Sequence, residues 1–351
     1  LFTFRDTRLL VGFEGLENLR IGEEKILLIS DFQTGSPTMR PEQAVKQIVH
    51  ALEEGVDHIF LNGDLIQGWN YPVFAQESQA FGPIDPQDQV EFVKQMLKVA
   101  IGETVRAKRA ADPDYAPPKI TITDGNHEWN SGDRKFPGRW LNPIRDMLAG
   151  IYDGLGVDGD KDVRYISEID TKHGDHVFAS AVYFDDIKEA TGFGVFGQHC
   201  NYGASKGGKL GAPAEGMAAW TRARGVDTAD NHFYLGAHYH TSSIVEEDGQ
   251  VHIIAGAMAG QSAYEFARGY TDGEPASGML TLNSREAPTL ELVTARMVDG
   301  IEDGAIEAQG VAAKVAEHGS VEAWLQQLQE DCKMRAFHTH QMKTYGPGAK
   351  E

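Results

Sequence analysis

Residues 25–64 read KILLISDFQTGSPTMRPEQAVKQIVHALEEGVDHIFLNGD. The apolar run at 26–29 has strand length and stops at Asp31. Pro41 suits the first turn of a helix, Ala44, Val45, Ile48, Val49 and Leu52 recur at helical spacing, and Gly55 ends the element. Residues 58–61 (HIFL) form a second strand that stops at Asn62-Gly63-Asp64. The stretch predicts one strand–helix–strand unit with a carboxylate just past the end of each strand.

The same alternation continues outward. Asp85-Pro86 caps a helix that carries Val90, Val93, Leu97, Ala100 and Ile101 on one face. Pro117-Pro118 breaks the chain before a strand at 119–123, which ends in Asp124-Gly125-Asn126-His127-Glu128. Further strands are expected at 177–184, 194–197, 233–235, 251–255, 279–282 and 290–295, and helices at 306–316 and 321–334. Strands alternating with helices predict an α/β fold. The expected division is a catalytic domain over 1–300 and a helical C-terminal extension over 301–351.

Composition narrows the function classes. The chain has 351 residues and a formal charge of −20, from 32 Lys and Arg against 52 Asp and Glu. That sign argues against a general nucleic-acid binder with a basic face, but not against a nuclease whose bound cations override it locally. No apolar run approaches the ~20 residues of a membrane span, so no membrane partner is expected. Residues 1–10, with Arg5, Asp6 and Arg8, do not read as a secretory signal. The only cysteines, Cys200 and Cys332, make no CxxC pair, which suggests a reducing, cytoplasmic setting.

The chemistry is concentrated at strand ends. In chain order these carry Asp31, Asp64, Asn126, His199, His238 and His240, nearly all flanked by glycine. Strand C-termini of an α/β sheet share one edge. Six oxygen and nitrogen donors there suit two divalent ions, with Mn, Fe, Zn or Co favoured over a thiolate-seeking metal.

The set Asp31-Phe32-Gln33, Gly63-Asp64, Gly125-Asn126-His127-Glu128, His199 and Gly236-Ala237-His238-Tyr239-His240 resembles the calcineurin-like metallophosphoesterase superfamily. Its motifs are D-x-H, G-D-x-x-D, G-N-H-[DE], a lone histidine and G-H-x-H, and the resemblance spans roughly residues 25–260. It implies a sandwich of two mixed β-sheets flanked by helices, and two metal ions, Mn ahead of Fe, Zn, Mg or Co. It further implies that Asp64 bridges the ions, that Asp31 and His240 hold the first, and that Asn126, His199 and His238 hold the second. His127 then acts on the phosphate without binding metal, stabilising developing charge and protonating the leaving group.

Three positions depart from the pattern. Gln33 replaces a histidine ligand and offers a weaker amide donor to the first metal. Gln67 replaces the aspartate that orients the catalytic histidine. Ala237 expands the last motif by one residue, while the two histidines keep their spacing.

Trp69 and Tyr71 follow the Asp64 motif, and Lys206 and Lys209 lie in a glycine-rich loop after His199. They are candidate substrate contacts, the alternative being plain packing and a plain surface loop. That loop, GASKGGKL at 203–210, is a P-loop lookalike with Leu210 in place of Ser or Thr. Gly211 and Pro213 argue against a helix following it. The expected substrate is a phosphoester. A phosphodiester of nucleic-acid or nucleotide type comes first, and a phosphomonoester on a small molecule or phosphoprotein second. A weakly active structural subunit of a DNA-processing complex is the reading from a different class. Oligomeric state is not legible.

Overall fold

The computed structural model describes residues 2–5, 8–12, 22–68, 85–131, 140–167, 181–199, 213–224, 232–247, 249–260, 275–283, 287–299 and 309–332. The candidate contacts Trp69, Tyr71, Lys206 and Lys209 lie outside these, as does Cys200.

Thirteen strands are described: β1 Phe2–Arg5, β2 Arg8–Gly12, β3 Glu23–Ile29, β4 His58–Asn62, β5 Lys119–Thr123, β6 Val163–Ile166, β7 Ala181–Tyr183, β8 Val195–Gln198, β9 Phe233–Gly236, β10 Ser243–Glu247, β11 Gln250–Ile254, β12 Ala276–Asn283 and β13 Thr289–Thr294. They form two mixed sheets, of order β1-β2-β13-β12-β3-β4-β5-β6 and β10-β11-β9-β8-β7. β3, β4, β5 and β6 run parallel in the first sheet, and β8, β9 and β11 in the second. This is the expected sandwich of two mixed sheets.

Period-two alternation divides the core into layers. Leu27 and Ile29 of β3, with Ile59, Leu61, Ile120 and Ile122, face α1 (Pro41–Glu53) and α2 (Pro86–Leu97). Their neighbours Ile26, Leu28 and Phe60 face the second sheet, against Val195, Phe233, Leu235, Val251 and Ile253. The outer face of the second sheet buries Phe196, Tyr234 and Ile254 with Ala214 and Met217. Strands sandwiched this way are apolar on both faces, which is why 26–29 reads as an unbroken run.

Asp85 caps α2 as expected, its Oδ1 accepting from Gln87 N at 2.8 Å. A π-helical turn, Lys98–Glu103, joins α2 to α3 (Thr104–Ala111). The other helices are α4 (Asn126–Ser131), α5 (Asn142–Gly154), α6 (Gly159–Asp162), α7 (Asp185–Thr191), α8 (Pro213–Arg224), α9 (Ala295–Asp299), α10 (Gln309–His318) and α11 (Val321–Asp331). α8 corrects the sequence reading: Pro213 opens a helix there, because a first-turn residue has no intrahelical use for its N–H. The C-terminal helices bury Val311, Val321, Trp324 and Leu325 in the same core as α1 and α2. Gly310 lets α10 approach the π turn, where a Cβ would stand 2.6 Å from the Val99 carbonyl oxygen. Among the described residues no helix is long and apolar enough to cross a membrane.

Phe60 is the largest side chain of β4 between the sheets. It is fully buried and meets Phe184 edge-on at 5.3 Å. Phe60→Ala is expected to cost about 3–5 kcal/mol of stability, read from urea unfolding midpoints at unchanged m-value.

Candidate metal centre

The ends of β3, β4 and β5 in one sheet and of β8 and β9 in the other meet at a single edge. Asp31, Asp64 and Asn126 come from the first sheet, and His199, His238 and His240 from the second. The described non-glycine residues with positive φ are Asp31 (53°), Gln33 (48°), Asp64 (53°), His238 (82°) and His240 (56°). Every one is a residue singled out from the sequence as a ligand. A left-handed backbone just past a strand turns its side chain back over the strand end. Such conformations persist where the surroundings enforce them, commonly at functional sites.

Two glycines permit the close approach. Gly63 has φ +73°, and a Cβ on it would stand 2.7 Å from both Gly125 N and His199 Nδ1. A Cβ on Gly125 would stand 2.1 Å from Asp64 Oδ1. A side chain on Gly63 would collide with His199 of the second sheet and with the loop after β5, and one on Gly125 would collide with Asp64 of its own sheet.

Asp64 is the hub. Its Oδ2 lies 3.2 Å from His199 Nε2, 3.2 Å from Gln33 Nε2 and 3.8 Å from His127 Nε2. Its Oδ1 accepts from His127 N at 2.8 Å. Ligand atoms of Asp64, His199 and His238 all lie within 4.8 Å of one another, a group that could hold a metal ion. Beside it, Asp31 Oδ1 lies 3.4 Å from His240 Nε2 and 4.0 Å from His199 Nε2. Asp31 Oδ2 accepts from Ser30 Oγ at 2.7 Å and from His238 N at 3.1 Å. Asn126 is buried at the start of α4.

The residues fit a divalent cation. Carboxylate oxygens and imidazole nitrogens are its donor types, and Asp31 Oδ1 and Gln33 Oε1 are buried oxygens that accept no hydrogen bond. Gln33 presents the nitrogen end of its amide to the cluster, with Nε2 also 3.4 Å from His240 Nε2. A half-turn about its last side-chain bond exchanges the two ends and brings Oε1 to the same place.

Burial pushes the Asp64 carboxyl upward, but His199 and His127 outweigh it and hold it well below the usual carboxylate range. Asp31 is lowered in the same way, burial being overcome by His199 and His240. For His199 burial acts downward, yet Asp64 and Asp31 raise it to about 9. His238 is lowered to about 4 by burial and then by His199. These opposed shifts mark a tightly coupled buried cluster.

Three supporting residues were missed in the sequence. Asn62 presents its carbonyl to His199 Nδ1 at 2.6 Å, so Nδ1 carries the proton and Nε2 faces Asp64. Glu128 is fully buried and accepts three backbone N–H groups: Asp64 and Gly125 on Oε2, at 3.0 and 2.8 Å, and Ile66 on Oε1 at 3.0 Å. It clips the β4 loop to the β5 loop, and burial, then Asp64, raises its carboxyl to about 7. The third, Gln89, accepts from Gly68 N at 2.9 Å. Asn62 sits within a strand, and Glu128 and Gln89 are helical, so no motif marks the contacts they make.

Glu128→Gln replaces one acceptor oxygen with an N–H₂ that faces a backbone donor. It is expected to cost about 1–3 kcal/mol of stability and to weaken Mn²⁺ binding roughly 10–100-fold, read by denaturant unfolding and titration calorimetry.

No protein-family model matches the chain, and no curated protein matches it. Solved structures do. A Streptococcus pneumoniae protein described as a predicted phosphoesterase is 9% identical, with TM-score 0.33, covering 78% of this chain and 91% of that one. An archaeal phosphodiesterase is 14% identical, with TM-score 0.34, covering 77% and 99%. A putative 5′-nucleotidase from Staphylococcus aureus is 14% identical, with TM-score 0.37, covering 84% and 58%. The site itself, and not these matches, carries the functional reading. The five strand-end motifs read from the sequence stand in order on the converging strand ends of two mixed sheets.

Proposed function

We propose that the chain is a divalent-metal-dependent phosphoester hydrolase acting on a phosphodiester of nucleotide or nucleic-acid type. The observation that carries this is the convergence of Asp64, His199 and His238 within 4.8 Å where the sheets meet. The diester preference is supported by sequence alone: Trp69 and Tyr71 follow the Asp64 motif, and Lys206 and Lys209 follow His199. Aromatic faces stack on bases, and a basic loop holds phosphate.

In this reading Asp64 would serve two ions, Asp31, Gln33 and His240 would hold one, and Asn126, His199 and His238 would hold the other. Bound divalent ions supply charge neutralisation at phosphorus and acidify water. Mn²⁺ is the first ion to test. His127 has a separate part. Its Nδ1 lies 2.7 Å from the Gln67 carbonyl oxygen, which can only accept, so Nδ1 carries a proton. In the doubly protonated ring Nε2–H is then the bond that breaks, its proton passing to a departing oxygen and leaving the neutral Nδ1–H imidazole. Asp64 Oδ1 holds the His127 backbone N–H, tying the acid to the ligand hub.

The protein is expected to hydrolyse bis(p-nitrophenyl) phosphate faster than p-nitrophenyl phosphate with Mn²⁺, and to lose activity to a chelator. The reverse order would favour a monoester substrate. Failure on both esters with Mn²⁺, Fe²⁺, Zn²⁺ and Mg²⁺ would overturn the hydrolase reading. Asp64→Asn should abolish turnover and lower metal content. His127→Ala should lower kcat by ~10²–10⁴-fold with metal content unchanged, as elemental analysis would read; loss of metal would make His127 a ligand instead.

A further inference from the structure

The sequence pattern leaves His127 without its usual orienting carboxylate, because Gln67 stands in that position. The structure supplies a different partner. The peptide unit between Gln67 and Gly68 is bonded at both ends: its carbonyl oxygen accepts from His127 Nδ1 at 2.7 Å, and its N–H donates to Gln89 Oε1 at 2.9 Å. We infer that Gln89 is a positioning residue for His127, acting through this peptide by the relay Gln89 Oε1···H–N(Gly68)–C=O(Gln67)···H–Nδ1(His127).

Three observations make the relay stiff. Gln89 is 1% exposed and His127 6%, so water does not compete at either end. Gln89 lies on the first turn of α2, whose start is fixed by the Asp85 cap and by Gln89 N donating to the Asp85 carbonyl at 3.1 Å. Its side chain also fills the space beside Gly35 (φ +97°), where a Cβ would stand 2.7 Å from Gln89 Cδ. The glutamine is therefore wedged between the loop after β3 and the loop after β4, the two loops that present Asp31 and Asp64.

The physical effect is cooperative. An acceptor on a peptide N–H polarises that peptide and makes its carbonyl a better acceptor. The Gln67 carbonyl then holds the Nδ1 proton more firmly, fixes the ring plane and keeps Nε2 as the exchanging nitrogen. A carboxylate would do the same by charge. The relay does it with neutral groups, beside a cluster that already buries Asp31, Asp64 and Glu128.

The inference rests on the reading of His127 as the proton donor, and the test separates the two. The first readout is the His127 tautomer in the full chain labelled with ¹⁵N-histidine, with and without Zn²⁺. The unmodified protein should show a slowly exchanging Nδ1–H. Gln89→Met, close in shape but without the acceptor, should give mixed tautomers and faster exchange, and Gln89→Glu should restore Nδ1–H. The second readout is kinetic, with Mn²⁺. Gln89→Met should lower kcat roughly 10–100-fold with KM nearly unchanged. The loss should be larger for a phenyl than for a p-nitrophenyl leaving group, and Gln89→Met should add nothing to His127→Ala. Should Gln89→Met fail to fold, loss of Nδ1–H in Gln89→Glu would overturn the relay, and retention would support it. A wild-type tautomer and kcat in Gln89→Met would overturn it, as would an equal loss in the His127→Ala background. An inactive unmodified protein would sink the hydrolase reading, while the tautomer measurement would still decide the relay.

Discussion

The contact between Asp64 Oδ2 and His199 Nε2, 3.2 Å long, joins the two sheets at the edge where the site assembles. Asp64 follows β4 of one sheet and His199 follows β8 of the other, 135 positions later in the chain. Neither side chain reaches solvent. A carboxylate and an imidazole buried this deeply must satisfy each other or a cation, since an isolated buried charge is far costlier than a paired one. Gly63 and Gly125 serve in that setting as spacing: a Cβ on the first would crowd His199, and a Cβ on the second would crowd Asp64. Asn62, placed just before the turn, fixes which nitrogen of His199 faces the carboxylate.

Holding five side chains back over the strand ends carries a conformational cost. A left-handed backbone costs roughly 1–2 kcal/mol per residue for an L-amino acid, and five together approach the scale of a domain's whole stability. Asp and His tolerate the region better than most residues, and four of the five are of those types. Gln33 is the exception. Main-chain bonds across the β3 and β4 loops offset the cost: Asp31 N donates to the Gly63 carbonyl, Gln33 N to that of Asp64 and Thr34 N to that of Leu65. Glu128 adds three more bonds from below. The loops behave as one hydrogen-bonded ladder continued past the strands, so the ligand geometry is inherited from the sheet.

Much of this was legible in the sequence, and the reason is local. A strand buried on both faces is largely apolar, so 26–29 and 58–61 stand out as runs, Pro117-Pro118 marks the start of 119–123, and the candidate ligands Asp31, Asp64 and Asn126 lie two or three residues past the strand ends. The ligand order followed from those runs. What was not legible depends on contacts between distant segments. β1, β2 and β6 are edge or near-edge strands of only four or five residues, too short for their pattern to stand out. β10 was missed although Gly249 (φ +75°) follows an aspartate in a hairpin-forming pair. α8 is hidden because a proline marks a helix break and a helix first turn equally well, and Pro213 is the latter. The sequence marks Glu128 as part of a motif but not as a triple acceptor for Asp64, Gly125 and Ile66, and Gln89 carries no mark at all. Both act through backbone groups, which leave no side-chain signature at the partner position.

The two glutamines that depart from the motif pattern the sequence resembles are accommodated in opposite ways. At Gln33 the side chain remains in the cluster, and its amide meets Asp64 and His240 directly. At Gln67 the contact with His127 is made by the main-chain carbonyl. The difference follows from charge. The cluster already buries Asp31, Asp64 and Glu128, and burial with repulsion from Asp64 raises Glu128 to about 7. A fourth carboxylate at position 67 would add like-charge repulsion to a low-dielectric region where it is poorly screened. A carbonyl oxygen orients the imidazole through its dipole and adds no net charge. Orientation and charge stabilisation are thus separated at this histidine: the peptide fixes the ring, and Asp64, 3.8 Å from Nε2, supplies the nearby negative field.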